Sequence, residues 1–133
     1  MKITPNGTNP TRTGPADWFT GMVSLDTPFA AGEPAGFSGA VVSFTAGART
    51  NWHTHPKGQL IIVTSGLGWA QSDGGEIHEI RPGDVVWFEP GERHWHGATD
   101  RTSMAHVAIA EAENGSVVDW AEPVSDEDYL RSV

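Results

Sequence analysis

Four of the six histidines in this sequence come as two pairs with one residue between them. One pair is His53 and His55 in GARTNWHTHPKGQLIIVTSG, Gly47 to Gly66; the other is His94 and His96 in ERHWHG, Glu92 to Gly97. Residues two apart on a β-strand project from the same face, so each pair offers two imidazoles to one point. Two such strands can converge on one divalent cation, which takes three or four nitrogen or oxygen donors on one side and leaves positions open for water or substrate. The chain has no cysteine, which excludes thiolate metal sites, iron–sulfur clusters, disulfides and cysteine nucleophiles.

The elements that must carry these pairs are short strands. Apolar runs at Ala40–Phe44, Leu60–Ser65, Gly68–Ser72, Asp84–Glu89 and Ala105–Glu111 are separated by the turn signals AGAR, DGG, RPGD, EPGE and ENG. Strands of about five residues at intervals of about 8 to 12, with no long helical period between them, predict an all-β sandwich or barrel. One short helix is expected at the C-terminal side, where Ser125 and Asp128 form a capping arrangement opening DEDYLRSV. Residues 1–16, rich in Pro, Gly, Asn and Thr, read as an extended N-terminal arm, and residues 17–133 as a single domain. Eight Lys and Arg against seventeen Asp and Glu give a formal charge of −9, so the basic surface of a nucleic-acid binder is missing. The N-terminus has no apolar signal core and no segment approaches the roughly 18 apolar residues of a membrane span. A cytoplasmic location is expected, with no nucleic-acid or membrane partner.

On these residues the sequence resembles the cupin superfamily. The first cupin motif, GxxxxxHxHxxxExxxxxxG, falls on Gly47, His53, His55, position 59 and Gly66 with every spacing intact, except that Gln59 replaces the glutamate. The second, GxxxxxPxGxxHxxxN, falls on Gly83, Gly91 and His94, with Glu89 in place of the proline and Ala98 in place of the asparagine. The resemblance covers roughly residues 37–110. It implies a small antiparallel β-barrel of jelly-roll type with a metal inside, held by His53, His55, Gln59 and His94. A carboxamide at position 59 is a neutral donor, so the ion keeps its full formal charge, which favours Lewis-acid work over redox cycling. Alternatively Gln59 is a turn residue and water completes the site.

Beside those ligands, His96 shares a face with His94 and is a candidate general base or a partner that orients a ligand. His106 alternates with Ala108 and Ala110, which reads as a cavity wall or as core. Lys57 either turns inward to trap anions beside the cation, with a lowered pKa, or points to water from an exposed PKGQ turn. Thr50 can hydrogen-bond a substrate oxygen. Trp52 and Trp95 have the opposite parity and should pack away from the metal, and Trp18, Trp69, Trp87 and Trp120 read as core or interface aromatics, with Trp87 the one expected to touch a ligand. Ala40, Val42, Phe44, Ala108 and Ala110 are expected in the cavity wall. Within the cupins, the stretches GPADWFTG, ARTNWHTHPKGQLIIVTSGLGWAQ and PGDVVWFEPGERHWHGA look like the small bacterial cupins that include the manganese-dependent hydroxynitrile lyases, which cleave R-cyanohydrins such as mandelonitrile to aldehyde and cyanide. The same group includes members labelled only as carboxymuconolactone-decarboxylase-associated cupins. The resemblance therefore implies a lyase using one divalent ion, Mn2+ first and Fe2+, Zn2+, Ni2+ or Co2+ as alternatives, with His96, Lys57, His106 and Thr50 as catalytic candidates. A metal-dependent dioxygenase and a non-catalytic small-molecule binder are the alternative readings. A homo-oligomer, dimer or tetramer, is expected from the same resemblance and from edge strands that the arm could cover.

Overall fold

The computed structural model describes residues 1–131. Thirteen strands and one short helix follow in order: β1 (Arg12–Thr13), β2 (Phe19–Thr20), β3 (Val23–Ala30), β4 (Phe37–Phe44), β5 (Arg49–Thr50), β6 (His53–Thr54), β7 (Gln59–Gly66), β8 (Gly68–Ser72), β9 (Ile77–Ile80), β10 (Val85–Phe88), β11 (His94–Ala98), β12 (Met104–Glu111), β13 (Asp119–Trp120) and α1 (Asp126–Tyr129). All pairings are antiparallel. One sheet runs β1-β3-β4-β12-β7-β10; the other runs β13-β6-β11-β5-β2, with β8 and β9 continuing from β11. The two curl against each other as a jelly-roll barrel, the fold expected from the spacing of runs and turns.

Strand alternation decides what lies between the sheets. From the first sheet come Gln59, Ile61 and Val63 on β7, Val42 and Phe44 on β4, and His106 on β12, all buried. From the second come Thr50, His53, His94 and His96. One end of the interior is closed by apolar packing that includes Phe19, Val23, Phe44, Ile61, Val63, Phe88 and Met104. Trp52 and Trp95, of opposite parity, lie in a separate cluster with Trp69, Val124 and Tyr129. That cluster seats α1, whose N-cap Ser125 accepts from the Asp128 backbone N–H at 3.1 Å, as the capping signal predicts. Arg49 lies over the Tyr129 ring and donates to Val124 O and Asp126 Oδ1. The final Ser132 and Val133 of the expected helical segment lie outside the described residues.

Besides the two-residue strands β1, β2 and β13, two longer strands escaped the sequence reading. β3 contains Asp26, Thr27 and Pro28, and its register against β4 shifts between Asp26 and Phe29, with Thr27 at φ 46°. The bulge breaks the period of two on which recognition depends. β9, IHEI, is too short and polar to stand out. Within the segment read as an arm, Arg12 and Thr13 pair with Leu25 and Ser24. No helix among the described residues is long and apolar enough to cross a membrane.

Candidate metal centre

Facing strands bring the histidine pairs together: His94 on β11 is the register partner of His53 on β6. Their rings are 4.2 Å apart, and His55 lies 5.0 Å from His53 and 5.7 Å from His94. Gln59 reaches in from the other sheet, its Oε1 3.4 Å from His94 Nε2 and 3.3 Å from His96 Nε2. Its inward turn depends on Gly58, which has φ 82° and no room for a Cβ against Trp87 and the Phe88 carbonyl.

Hydrogen bonds on the far side of each ring fix its tautomer. The Nδ1 of His53 faces Asn51 O at 2.9 Å, that of His55 faces Val117 O at 2.7 Å and that of His94 faces Glu92 O at 2.8 Å. A carbonyl only accepts, so each neutral ring carries its proton on Nδ1 and presents a bare Nε2 lone pair inward. Burial keeps the rings neutral. It holds His53 well below the ordinary histidine pKa, aided by His94, and it lowers His55 and brings His94 to about 4. The Gln59 oxygen and the Nε2 atoms are therefore acceptors facing acceptors, and His55 Nε2 is buried with no partner at all. Buried acceptors without a donor are costly; a cation among them satisfies all of them at once. Nitrogens from His53, His94 and His96 lie within 4.8 Å of one another, close to the span of donors each about 2.1 Å from one ion. The residues present thus fit a divalent cation on nitrogen and oxygen.

His96 stands closer to this centre than the sequence reading assumed, because its Nε2 belongs to that compact triad while His55, beyond the end of β6, sits slightly outside it. Its other nitrogen, Nδ1, is 3.0 Å from His106 Nε2, so one proton is shared between the two rings. Burial, then the neighbouring His106, holds His96 well below its usual pKa, and burial alone brings His106 to about 4. Thr50 Oγ1 accepts from the His96 backbone N–H at 3.2 Å and keeps its own hydroxyl proton for the cavity.

Lys57 does not enter the site. It occupies the turn closed by Gly58 N–H to His55 O, where strand parity no longer applies. Its ammonium meets Glu111 Oε2 at 2.6 Å, and the side chain is 44% exposed. The hydrogen bond to Glu111 raises its pKa, the reverse of the expected lowering. Trp87 is also outside, 50% exposed. The tryptophans that reach the centre are Trp18 and Trp120: Trp120 packs on the His53 ring at 4.7 Å and stacks on Trp18 at 5.4 Å. Sequence reasoning passed over both because they lie in or beside two-residue strands far from the motifs.

These side chains line one cavity of about 200 Å³. Its polar end holds Thr50, His53, His55, Gln59, His96 and His106; its body is apolar, with Trp18, Phe19 and Trp120 on one wall and Ala40, Val42, Ala108 and Ala110 opposite. Phe44, expected in that wall, instead packs behind it at 5.4 Å from the His106 ring.

A β-barrel of this topology with buried histidines at its centre defines a cupin, and the comparisons agree. The chain belongs to the Cupin domain family, whose model matches residues 40–109. It is 57% identical over 131 residues to a protein from Granulicella tundricola named (R)-mandelonitrile lyase, covering 98% of this chain and 100% of that protein. Among solved structures it resembles a cupin-like protein from Thermotoga maritima, with TM-score 0.84, 33% identity and coverage of 99% of this chain and 97% of that one. A cupin 2 conserved barrel domain protein from Rhodopseudomonas palustris, at TM-score 0.69 and 14% identity over 90% of this chain and 79% of that one, shares the fold.

Proposed function

We propose that the protein is a metal-dependent hydroxynitrile lyase that cleaves R-cyanohydrins to an aldehyde and hydrogen cyanide. The observation that carries this reading is the contrast between the two ends of one cavity. A cavity of roughly 150 Å³ accommodates benzene, so 200 Å³ takes an aromatic ring with a short polar head. The ring fits the apolar body, and the head meets Thr50, Gln59 and the histidines. The 57% identical relative named (R)-mandelonitrile lyase supports the same assignment.

A divalent cation, Mn2+ in this reading, would be held by His53, His55, Gln59 and His94 with His96 beside it and outside the ligand set, and would supply Lewis acidity toward the substrate oxygen. The chain's own residues handle the proton. His96 Nε2 faces the cavity as a bare nitrogen when its Nδ1–H donates to His106 Nε2, and it takes the cyanohydrin hydroxyl proton. The electrons of that O–H bond become the carbonyl π bond, and the carbon–carbon pair leaves with cyanide. His96 returns the proton to cyanide, which completes the balance. His106 fixes the tautomer of His96, while the Thr50 hydroxyl donates to the developing carbonyl oxygen. No residue in this sequence of steps changes oxidation state.

The test is direct. Metal-free protein is reloaded separately with Mn2+, Fe2+, Zn2+, Co2+ and Ni2+, then given racemic mandelonitrile while benzaldehyde, cyanide and oxygen uptake are followed. Stoichiometric benzaldehyde and cyanide, drawn from the R enantiomer and without oxygen uptake, are expected. Oxygen consumption matching product formation from a catechol or diketone, with no cyanide release, would overturn the lyase reading in favour of a dioxygenase.

A further inference from the structure

The aromatic wall is built unlike the rest of the cavity. Its two tryptophans come from distant parts of the sequence, yet their rings lie nearly parallel, 9° apart at 5.4 Å. Trp120 continues inward to the His53 ring, and Phe19 meets it at 5.9 Å and 59°. Trp18 is 39% exposed, so the stack runs from solvent to the centre. The opposite wall is made of Gly39, Ala40, Val42, Ala108 and Ala110. The body of the cavity therefore has aromatic rings along one side and small side chains along the other. No residue lining its body carries a charge.

One buried side chain fastens both halves of the stack. Asn51 Nδ2 donates to Asp17 O at 2.8 Å and to Ala121 O at 3.1 Å, the carbonyls beside Trp18 and Trp120. The Asn51 backbone N–H bonds Trp18 O at 2.8 Å, and its own carbonyl takes the His53 Nδ1 proton. Neither the metal-type donor set nor the fold core uses the Asn51 carboxamide, and Asn51 does not line the cavity. Its side chain serves only to bring the Trp18 and Trp120 segments together.

We propose that the stacked Trp18–Trp120 pair is the substrate-selecting subsite of this cavity, an aromatic platform for the ring of the ligand, and that Asn51 is the positioning residue that assembles it. The platform deepens the lyase reading and rests on it only for the reaction performed; ring binding stands apart from turnover. Ring–ring contact, offset-stacked or edge-to-face, is worth more than the burial of equal apolar area, so the aromatic wall discriminates a planar ring from a saturated ring of the same size.

Calorimetric titration of the Mn2+-loaded protein with benzyl alcohol and with cyclohexylmethanol reads this without catalysis. The wild-type chain is expected to prefer benzyl alcohol, and Trp18→Ala to lower the ratio of the two affinities about fivefold, the scale of one ring–ring contact. Asn51→Ala is expected to lower the same ratio while metal content stays stoichiometric. In both variants the exciton couplet that two stacked indoles give in far-ultraviolet circular dichroism should diminish. If Asn51→Ala does not fold, the exposed Trp18→Ala and Trp18→Phe pair still decides, since phenylalanine should recover part of the ratio. An unchanged ratio in Trp18→Ala, or equal loss of both ligands, overturns the proposal. A wild-type protein that binds benzyl alcohol selectively but releases no cyanide refutes the lyase reading and leaves the subsite to be judged by the ratio alone.

Discussion

Acidification should unfold the metal-free protein abruptly. His53, His94, His96 and His106 are buried neutral rings whose pKa values burial lowers, His94 and His106 to about 4 and the other two well below the ordinary value. The unfolded chain protonates the same rings near pH 6.5. The folded-state values are the lower ones, so the stability these rings allow is whole above about pH 7 and is lost as the pH falls. At pH 5.5 each ring is about nine-tenths protonated when unfolded and nearly unprotonated when folded, a difference of between three and four protons. Linkage converts this into a slope of about 5 kcal/mol per pH unit. A domain near the lower end of the usual net stability of about 5–15 kcal/mol therefore loses its fold within roughly one to two pH units below 6.5, and the slope flattens near pH 4, where His94 and His106 charge in the folded state as well. Urea denaturation in the presence of a chelator, followed by tryptophan fluorescence at pH 7.5, 6.5 and 5.5, measures the slope. A value below about 1.4 kcal/mol per pH unit, one proton's worth, would show that the rings charge in place and would refute the tautomer argument on which the metal centre rests.

Three further outcomes follow from the same geometry. His53→Ala, His55→Ala and His94→Ala should each lose bound metal, whereas His96→Ala should keep it and lose on the order of 10² or more in mandelonitrile turnover; metal analysis and rate on one preparation decide, and metal loss in the last variant would make His96 a ligand. Lys57→Met should retain turnover within about twofold and leave stability essentially unchanged, since the Lys57–Glu111 pair lies at the surface; a tenfold loss of rate would put an ammonium back in the mechanism. Tyr129→Phe removes a buried hydroxyl that donates to Ala98 O at 2.6 Å, which costs about 1–2 kcal/mol, or roughly 4–7 °C in melting temperature, with activity unchanged.

What the sequence made legible is what alternation encodes. A period of two placed His53, His94, His96 and His106 on inward faces and Trp52 and Trp95 on outward ones, the cupin resemblance placed Gln59 beside the histidines, and the structure has all of them buried there. The barrel itself was legible from run lengths and turn signals. Alternation fails where the chain stops being a strand, which is why it left Lys57 open between an inward and an exposed position; the structure has it in the exposed turn. Trp18, Trp120, Val117 and Asn51 were passed over because their roles come from pairing between short segments distant in sequence. The Val117 contribution is a backbone carbonyl, which no residue type advertises.

That carbonyl also sets an order of assembly. Every histidine of the centre lies at or before His106, ahead of Val117 and Trp120 in the sequence. The His55 ring still lacks the oxygen that fixes its tautomer, and the His53 ring still lacks its indole cover, until Val117 and Trp120 follow. A nascent chain stalled short of that segment holds all its imidazoles without their final orientation. Any ion that this centre takes in its finished geometry is therefore taken only once the Val117–Trp120 segment is in place.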